Sequence, residues 1–219
     1  MSLTEMKQCN PNIRMFDVHD DEFAPFGRVL SMDAQEISAY VSDKYPIPED
    51  RSRYETDLKE LHEFAISKRI QKEVFGYLPM QCGLVYGQNK ILSGIEYHQG
   101  SEVNIAIQDC VLLLGNVQDI VHQHYDASKT TAFYLHQGDV IEVYATTLHY
   151  TPIQTSPAGF STLVYLLEGT NTEISYVPGD MLTKKNKWYM THATQKAKIE
   201  LGYIAGLDGD LLQLKYPKE

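Results

Sequence analysis

The sequence predicts a mostly β protein, a sandwich or barrel preceded by a helical segment of about 75 residues. Three observations carry that reading. From Gly76 onward, apolar residues alternate in short runs separated by turn residues. Tyrosine outnumbers tryptophan 15 to 1, and Tyr suits the half-buried pleated surface of a sheet. Before Gly76 the apolar positions recur at three- and four-residue steps, as a helix requires.

In chain order, Met1-Ser2-Leu3 reads as a remnant outside the fold, and residues 4–18 as mixed, extended chain. Asp21 to Leu30 sets Phe23 and Phe26 around Pro25 and reads as a loop that plugs one end of a barrel. Asp33 to Ser42 predicts a helix with Asp33 or Ser31 as N-cap, ended by the Tyr45-Pro46-Ile47-Pro48 stretch. The strongest helical pattern runs from Asp50 to Phe75, through Leu58, Leu61, Ala65, Ile66, Ile70 and Val74. One helix, or two with a break near Ser67, fits it, and Gly76 is placed as the C′ cap.

Met80 to Tyr86 then reads as a strand leading into a hairpin turn at Gly87 to Lys90. Further strands are predicted over Leu92–His98, Val103–Ile107, Cys110–Leu114, Ala132–Leu135, Val140–Tyr144, His149–Ile153, Ser161–Leu167 and Glu173–Tyr176. Met181 to Tyr189 reads as a basic loop and Ile199 to Ala205 as a last strand. Gly202, Gly206, Gly209 and Pro217 imply a tail that packs back on the barrel. The predicted organisation is one compact unit: an N-terminal extension over 1–78, its helices packing on the barrel, and a β-barrel over 79–219.

Composition narrows the function classes. A chain of 219 residues with 43% hydrophobic content buries a sizeable core without staples. Cys9, Cys82 and Cys110 are odd in number and lack a Cys-x-x-Cys pair, which argues against a disulfide framework or a thiolate zinc site. A net charge of -10 argues against nucleic acid and anionic membranes as partners. The longest apolar run, Val111 to Leu114, is strand-sized, and the N-terminus lacks the basic-then-apolar signal pattern; the reading is a cytoplasmic protein.

The chemistry concentrates in Gly94 to Glu102 and Tyr144 to Tyr150. Glu96, His98 and Glu102 fall at relative positions 0, +2 and +6, and the second segment adds His149. On a strand, residues two apart share a face, so Glu96 and His98 point together while Tyr97 points away. A turn at Gln99-Gly100 can fold Glu102 back beside His98, and His149 needs only an adjacent strand to join them. Such an oxygen-and-nitrogen set suits a divalent Mn, Fe, Ni or Zn ion; surface carboxylates and a structural histidine are the alternative. Tyr144, Thr147 and Tyr150 flank His149 and offer hydroxyls to a polar substrate, with ordinary β-formers on a barrel wall as the alternative; Lys184, Lys185, Lys187 and His192 offer charge to an anionic one, with a solvated charged loop as the alternative. His122 and His124 form a second His-x-His pair, read as a loop feature because no acidic partner follows at matching spacing.

These segments resemble the cupin superfamily. His98 matches the second histidine of the first cupin motif and Glu102 its glutamate, while His149 resembles the histidine of the second motif. Glu96 stands where the first histidine is expected, and Thr146-Thr147 replaces a Pro-x-Gly approach. The Glu22 to Leu30 segment and Glu96-Tyr97-His98 are similar to the ureidoglycolate lyase branch, and the whole chain resembles a bacterial cupin family of unassigned function that is often linked to sugar metabolism. The resemblance implies a double-stranded β-helix, or jelly roll. It also implies a metal held by Glu96, His98, Glu102 and His149, with Glu96 or Glu102 as catalytic base. The expected function is a metal-dependent enzyme acting on a small polyhydroxy or hydroxy-acid metabolite, of lyase or isomerase type. A non-enzymatic binding cupin is the alternative. A homodimer paired through sheet edges is expected.

Overall fold

The computed structural model describes residues 1–216, so Pro217 of the predicted tail lies outside the described residues. In chain order the elements begin with α1 (Leu3–Cys9), β1 (Met15–Asp17), β2 (Gly27–Val29), α2 (Gln35–Lys44), β3 (Arg53–Glu55) and α3 (Ala65–Glu73). Then come β4 (Met80–Gly87), β5 (Gly94–Tyr97), β6 (Glu102–Ala106), β7 (Cys110–Asn116), β8 (Tyr125–Asp126), β9 (Thr131–Leu135) and β10 (Val140–Val143). The chain continues with β11 (Thr147–Leu148), β12 (Ile153–Gln154), β13 (Phe160–Leu167), β14 (Leu182–Lys184), β15 (Lys187–Thr191), α4 (Lys196–Glu200) and β16 (Leu207–Asp208).

Two sheets form a jelly roll. One runs β2-β10-β6-β13-β4-β3; the other runs β1-β9-β7-β11, with β12 also on β7. A third ladder, β14-β15-β5, joins the second sheet through a reciprocal backbone bridge between Glu96 and His149. Alternation along the strands sorts side chains into layers. Val103, Ile105, Leu84 and Tyr165 leave the first sheet to meet Ile37, Val41, Leu61 and Ile70 of the helical segment. Between the sheets, Phe133 packs against Phe23 and Phe26 with ring centroids 5.3 and 5.2 Å away. On the far face of the second sheet, Met6, Tyr125, Tyr134 and Leu214 form a third apolar layer.

The mostly β jelly roll is the predicted fold, and the N-terminal region departs from its prediction in instructive ways. Residues 1–78 carry helices onto the first sheet but also supply three strands, so they are woven into both sheets. The first residues are helical: Ser2 caps α1, its hydroxyl accepting from Glu5 N while the Glu5 carboxylate accepts from Ser2 N, a complete capping box. The Asp21–Leu30 loop becomes a 3-10 turn over Asp21–Phe23 followed by β2 on β10. Helix α2 starts two residues later than predicted, after Ala34, with the Asp33 carboxylate accepting from Gln35 N at 2.9 Å.

The long helix predicted over 50–75 is broken into β3, a 3-10 turn over Lys59–Glu63 and the short helix α3. The break falls at Phe64, extended at φ −64° and ψ 143°. Sheet pairing overrides the helical pattern here: Arg53–Glu55 completes the open edge of β4, and Leu58 N bonds Cys82 O at 2.7 Å. Gly83 permits the approach, because a Cβ there would sit 2.6 Å from Glu55 O. Gly76 does take the left-handed conformation expected of it after α3, at φ 57°.

No hairpin joins β4 to β5; β4 lies between β13 and β3 instead. Glu173–Tyr176 forms no strand, and Ile199–Ala205 enters α4 and the irregular chain after it. The basic loop at 181–189 is a hairpin, β14 with β15, laid on β5.

Candidate metal centre

The centre grows from one backbone pairing. Glu96 N donates to His149 O at 2.8 Å and His149 N to Glu96 O at 2.9 Å, so the two residues stand directly opposite on adjacent segments. Opposed residues project to the same face, which brings both side chains together. His98, two residues after Glu96, shares that face. The chain then turns through Gly100, at φ 112°, and Glu102 enters β6 on the facing sheet. Glu96, His98, Glu102 and His149 all line one cavity of about 220 Å³ between the sheets.

Both imidazoles are buried, 3% and 5% exposed, and both are aimed by a backbone carbonyl. His149 Nδ1 lies 3.1 Å from Thr147 O and His98 Nδ1 lies 2.8 Å from Asn186 O. A carbonyl can only accept, so each Nδ1 carries the proton and each Nε2 turns inward. His98 Nε2 lies 3.7 Å from both Glu96 Oε1 and Glu102 Oε2; His149 Nε2 lies 3.3 Å from Glu102 Oε2. One donor atom each from Glu96, His98 and His149 falls within 4.8 Å of the others.

The fit to a cation can be tested on a single atom. His149 Nε2 is buried and has no hydrogen-bond partner among the described residues. A buried nitrogen whose close neighbour is the Glu102 carboxylate at 3.3 Å needs its lone pair taken up by a proton or by a cation. A divalent ion does so, and the nitrogen-and-oxygen donors suit Mn, Fe, Ni or Zn. The residues present fit the group.

The electrostatics agree. Burial alone would raise Glu102, yet His149, then His98 and the Asn104 amide at 2.9 Å, outweigh it and hold the carboxyl down at about 2. Burial would likewise push His149 down, but Glu102 and then Glu96 lift it to about 9. His98 goes the other way, lowered by its burial and by the neighbouring His149 charge. Burial raises Glu96, and Lys187 followed by the two imidazoles overrides it, leaving its carboxyl lowered. A metal ion and a proton therefore compete for the His149 lone pair.

Of the predicted substrate contacts, Tyr150 and Lys187 line the cavity. Tyr144 and Thr147 lie outside its lining: the Thr147 hydroxyl donates to Phe26 O at 2.8 Å in the interior, and Tyr144 stands just after β10. His122 and His124 sit in a turn, where His122 has φ 51° and His124 meets Asp208 at 3.0 Å. Lys184 pairs with Glu173, and the buried His192 contacts Thr194 and Gly209; neither lines the cavity.

Sequence reasoning missed Tyr54, Asn104 and Asn171, which complete the cavity wall. Asn104 was findable, since it stands two residues after Glu102 and shares its face. Tyr54 was hidden inside the predicted long helix.

Comparison with known proteins places the chain. The family model described as Domain of unknown function (DUF4867) matches residues 15–212. The chain belongs to that family. No curated protein matches it. Among solved structures it is similar to a Lactobacillus farciminis oxalate decarboxylase in complex with formate, at 12% identity and TM-score 0.35, covering 54% of this chain and 29% of that one. It is also similar to EvdO2 from Micromonospora carbonacea var. aurantiaca complexed with 2-oxoglutarate, at 11% identity and TM-score 0.42, covering 52% and 65%. A third likeness is to the vicilin of Solanum melongena, at 11% identity and TM-score 0.38, covering 70% and 34%. The chain thus spans less than a third of the oxalate decarboxylase it matches. At these scores the likenesses carry no functional argument; the jelly roll rests on the strand pairing itself.

Proposed function

We propose that this protein is a metal-dependent enzyme acting on a small polyhydroxy or hydroxy-acid metabolite, of lyase or isomerase type. One observation carries the reading: two imidazoles, each with its Nδ1 fixed on a carbonyl, turn their Nε2 atoms toward two shielded carboxylates that line the same cavity. Glu96, His98, Glu102 and His149 would hold the ion. A bound divalent ion supplies Lewis-acid polarisation of substrate oxygens.

The chain's own residues do the rest. Asn104 donates to Glu102 Oε1 and fixes that carboxylate's plane. The apolar side chains of Val85, Val164 and Leu166 line the cavity and exclude water there. Tyr54, Tyr150 and Asn171 offer hydroxyl and amide groups to a polar ligand. Glu96 and Glu102 are both ionised at neutral pH, the state a proton acceptor needs, and one of them moves the substrate proton.

Elemental analysis of the purified protein tests the first half. A stoichiometric transition metal is expected, lost in His98→Ala and His149→Ala; none under aerobic or anaerobic preparation would end the metal reading. The second half is tested on a panel of pentoses, hexoses, uronates, hydroxy acids and ureidoglycolate. Glu96→Gln and Glu102→Gln then separate the roles. The base loses turnover by about 10²–10⁴-fold while the metal stays, and a residue needed only as ligand loses both. A metal-bearing protein that binds but converts none of the panel is the non-enzymatic cupin instead.

A further inference from the structure

Glu96 presents its two oxygens to opposite neighbours. Oε1 lies 3.7 Å from His98 Nε2, and Oε2 lies 2.5 Å from Lys187 Nζ. Both side chains are shielded, at 12% and 19% exposure. Among the described residues neither has another ion-pair partner of opposite fixed charge. The β5–β15 ladder sets the pair: Tyr189 stands opposite Glu96, and Lys187, two residues back on the same face of the strand, carries its ammonium to 5.7 Å from the Tyr189 ring centre. The lysine expected to greet an anionic substrate is thus already committed to a carboxylate of the centre.

We infer that Lys187 is a positioning residue. It is an internal counter-ion that holds one oxygen of Glu96, turns the other toward the two imidazoles, and weakens the site's grip on a divalent ion. The inference rests on the metal reading of the same centre. Its physics is simple: removing one member of a buried pair leaves the other charge uncompensated. A divalent cation then becomes the replacement counter-ion. Relieved of the ammonium's repulsion at an effective dielectric of about 20, it binds at least about tenfold more tightly.

A cycle of Lys187→Met, Glu96→Gln and the double variant tests this, by melting of chelator-treated protein and by Mn²⁺ titration. Lys187→Met is expected to melt at least about 5 °C below wild type without metal. Adding Glu96→Gln recovers most of that loss. Lys187→Met also binds Mn²⁺ at least about tenfold more tightly than wild type and gains more in melting temperature from it. A loss that Glu96→Gln does not recover, or Mn²⁺ binding equal to or weaker than wild type, overturns the inference.

Should Lys187→Met fail to fold alone, a double variant that folds is the expected recovery, and one that fails as well counts against the pairing. Lys187→Arg, which keeps the charge, is expected to remain near wild type in both readouts. No response of either protein to Mn²⁺, Fe²⁺, Ni²⁺ or Zn²⁺ overturns the metal reading and the affinity half with it. The stability cycle in chelator-treated protein then decides the pairing by itself.

Discussion

Each imidazole of the centre is aimed by a single backbone carbonyl, Thr147 O for His149 and Asn186 O for His98. The second anchor depends on an unusual residue. Asn186 sits at φ 58°, and its side chain is tied on three sides: Oδ1 accepts from Gln99 N at 2.8 Å, while Nδ2 donates to Gln99 O and to the Thr170 hydroxyl. Asparagine tolerates the left-handed region better than most residues, and here its amide also locks the β14–β15 turn against the segment carrying His98. Asn186→Ala strains the backbone and removes all three bonds. The expected result is metal affinity about 10–100-fold weaker with the secondary structure retained, read by metal titration and circular dichroism. Asn186→Gly, which accepts the φ but lacks the bonds, falls between the two. In the sequence Asn186 lay unmarked within the basic stretch 181–189, because the partner it orients lies 88 positions away.

Among the elements, β15 decides most about the site. Its first residues, Lys187 to Tyr189, read as the end of a basic loop, yet the strand pairs with β5 from Trp188↔Tyr97 to Thr191↔Gly94 and carries Lys187 into the cavity wall. The pairing requires a glycine. A Cβ on Gly94 would lie 2.3 to 2.6 Å from the Tyr189 ring and hydroxyl. Tyr189 is itself held between two ammonium groups, with Lys198 Nζ 2.6 Å from its hydroxyl and Lys187 Nζ over the ring. Gly94→Ala forces that ring aside and is expected to cost about 1–3 kcal/mol, measured by denaturant unfolding. Displacement of Lys187 should accompany it, seen as a changed Mn²⁺ affinity. The helices show the converse lesson. The apolar spacing over 50–75 was real, and Leu61, Ile66 and Ile70 are buried as it requires. The stretch breaks because the open edge of β4 competes for residues 53–55, a demand no local pattern reveals.

For the whole molecule, two crossed pairs fasten the N-terminal strand to the turn between β9 and β10. Asp17 holds the His136 ring at 2.6 Å, and Asp139 holds the His19 ring at 2.9 Å. His136 is lowered by its burial but raised on balance by Asp17, followed by Asp139 and Asp109; Asp17 is raised by burial but lowered on balance by His136, then by the His19 backbone and charge. The sign follows from these shifts. The His136 contribution is fully present below its ordinary value of 6.5 and is lost as pH rises through the elevated one. The Asp17 contribution is present above 3.8 and is lost as pH falls through the depressed one. The His136→Asn variant should therefore lag wild type most between about pH 4 and 6.5, and the gap should close on either side. Since the His136 side chain is 49% exposed, the difference stays below about 1 kcal/mol, within reach of melting curves taken across pH.

The sequence by itself determined the fold class and which side chains share a face at the candidate centre. A two-residue period is a property of consecutive positions, and so is the shared face of Glu96 and His98. The reach of Glu102 past a Gln-Gly turn is equally local. Tertiary structure alone decided what those ligands meet. The bridge from Glu96 to His149 and the carbonyl behind His98 join residues 53 and 88 positions apart. The counter-ion Lys187, which the sequence offered to an anionic substrate, likewise meets Glu96 through a ladder. Contacts of that span are set by which strands pair, and pairing is settled by the burial of both sheets at once rather than by any one segment.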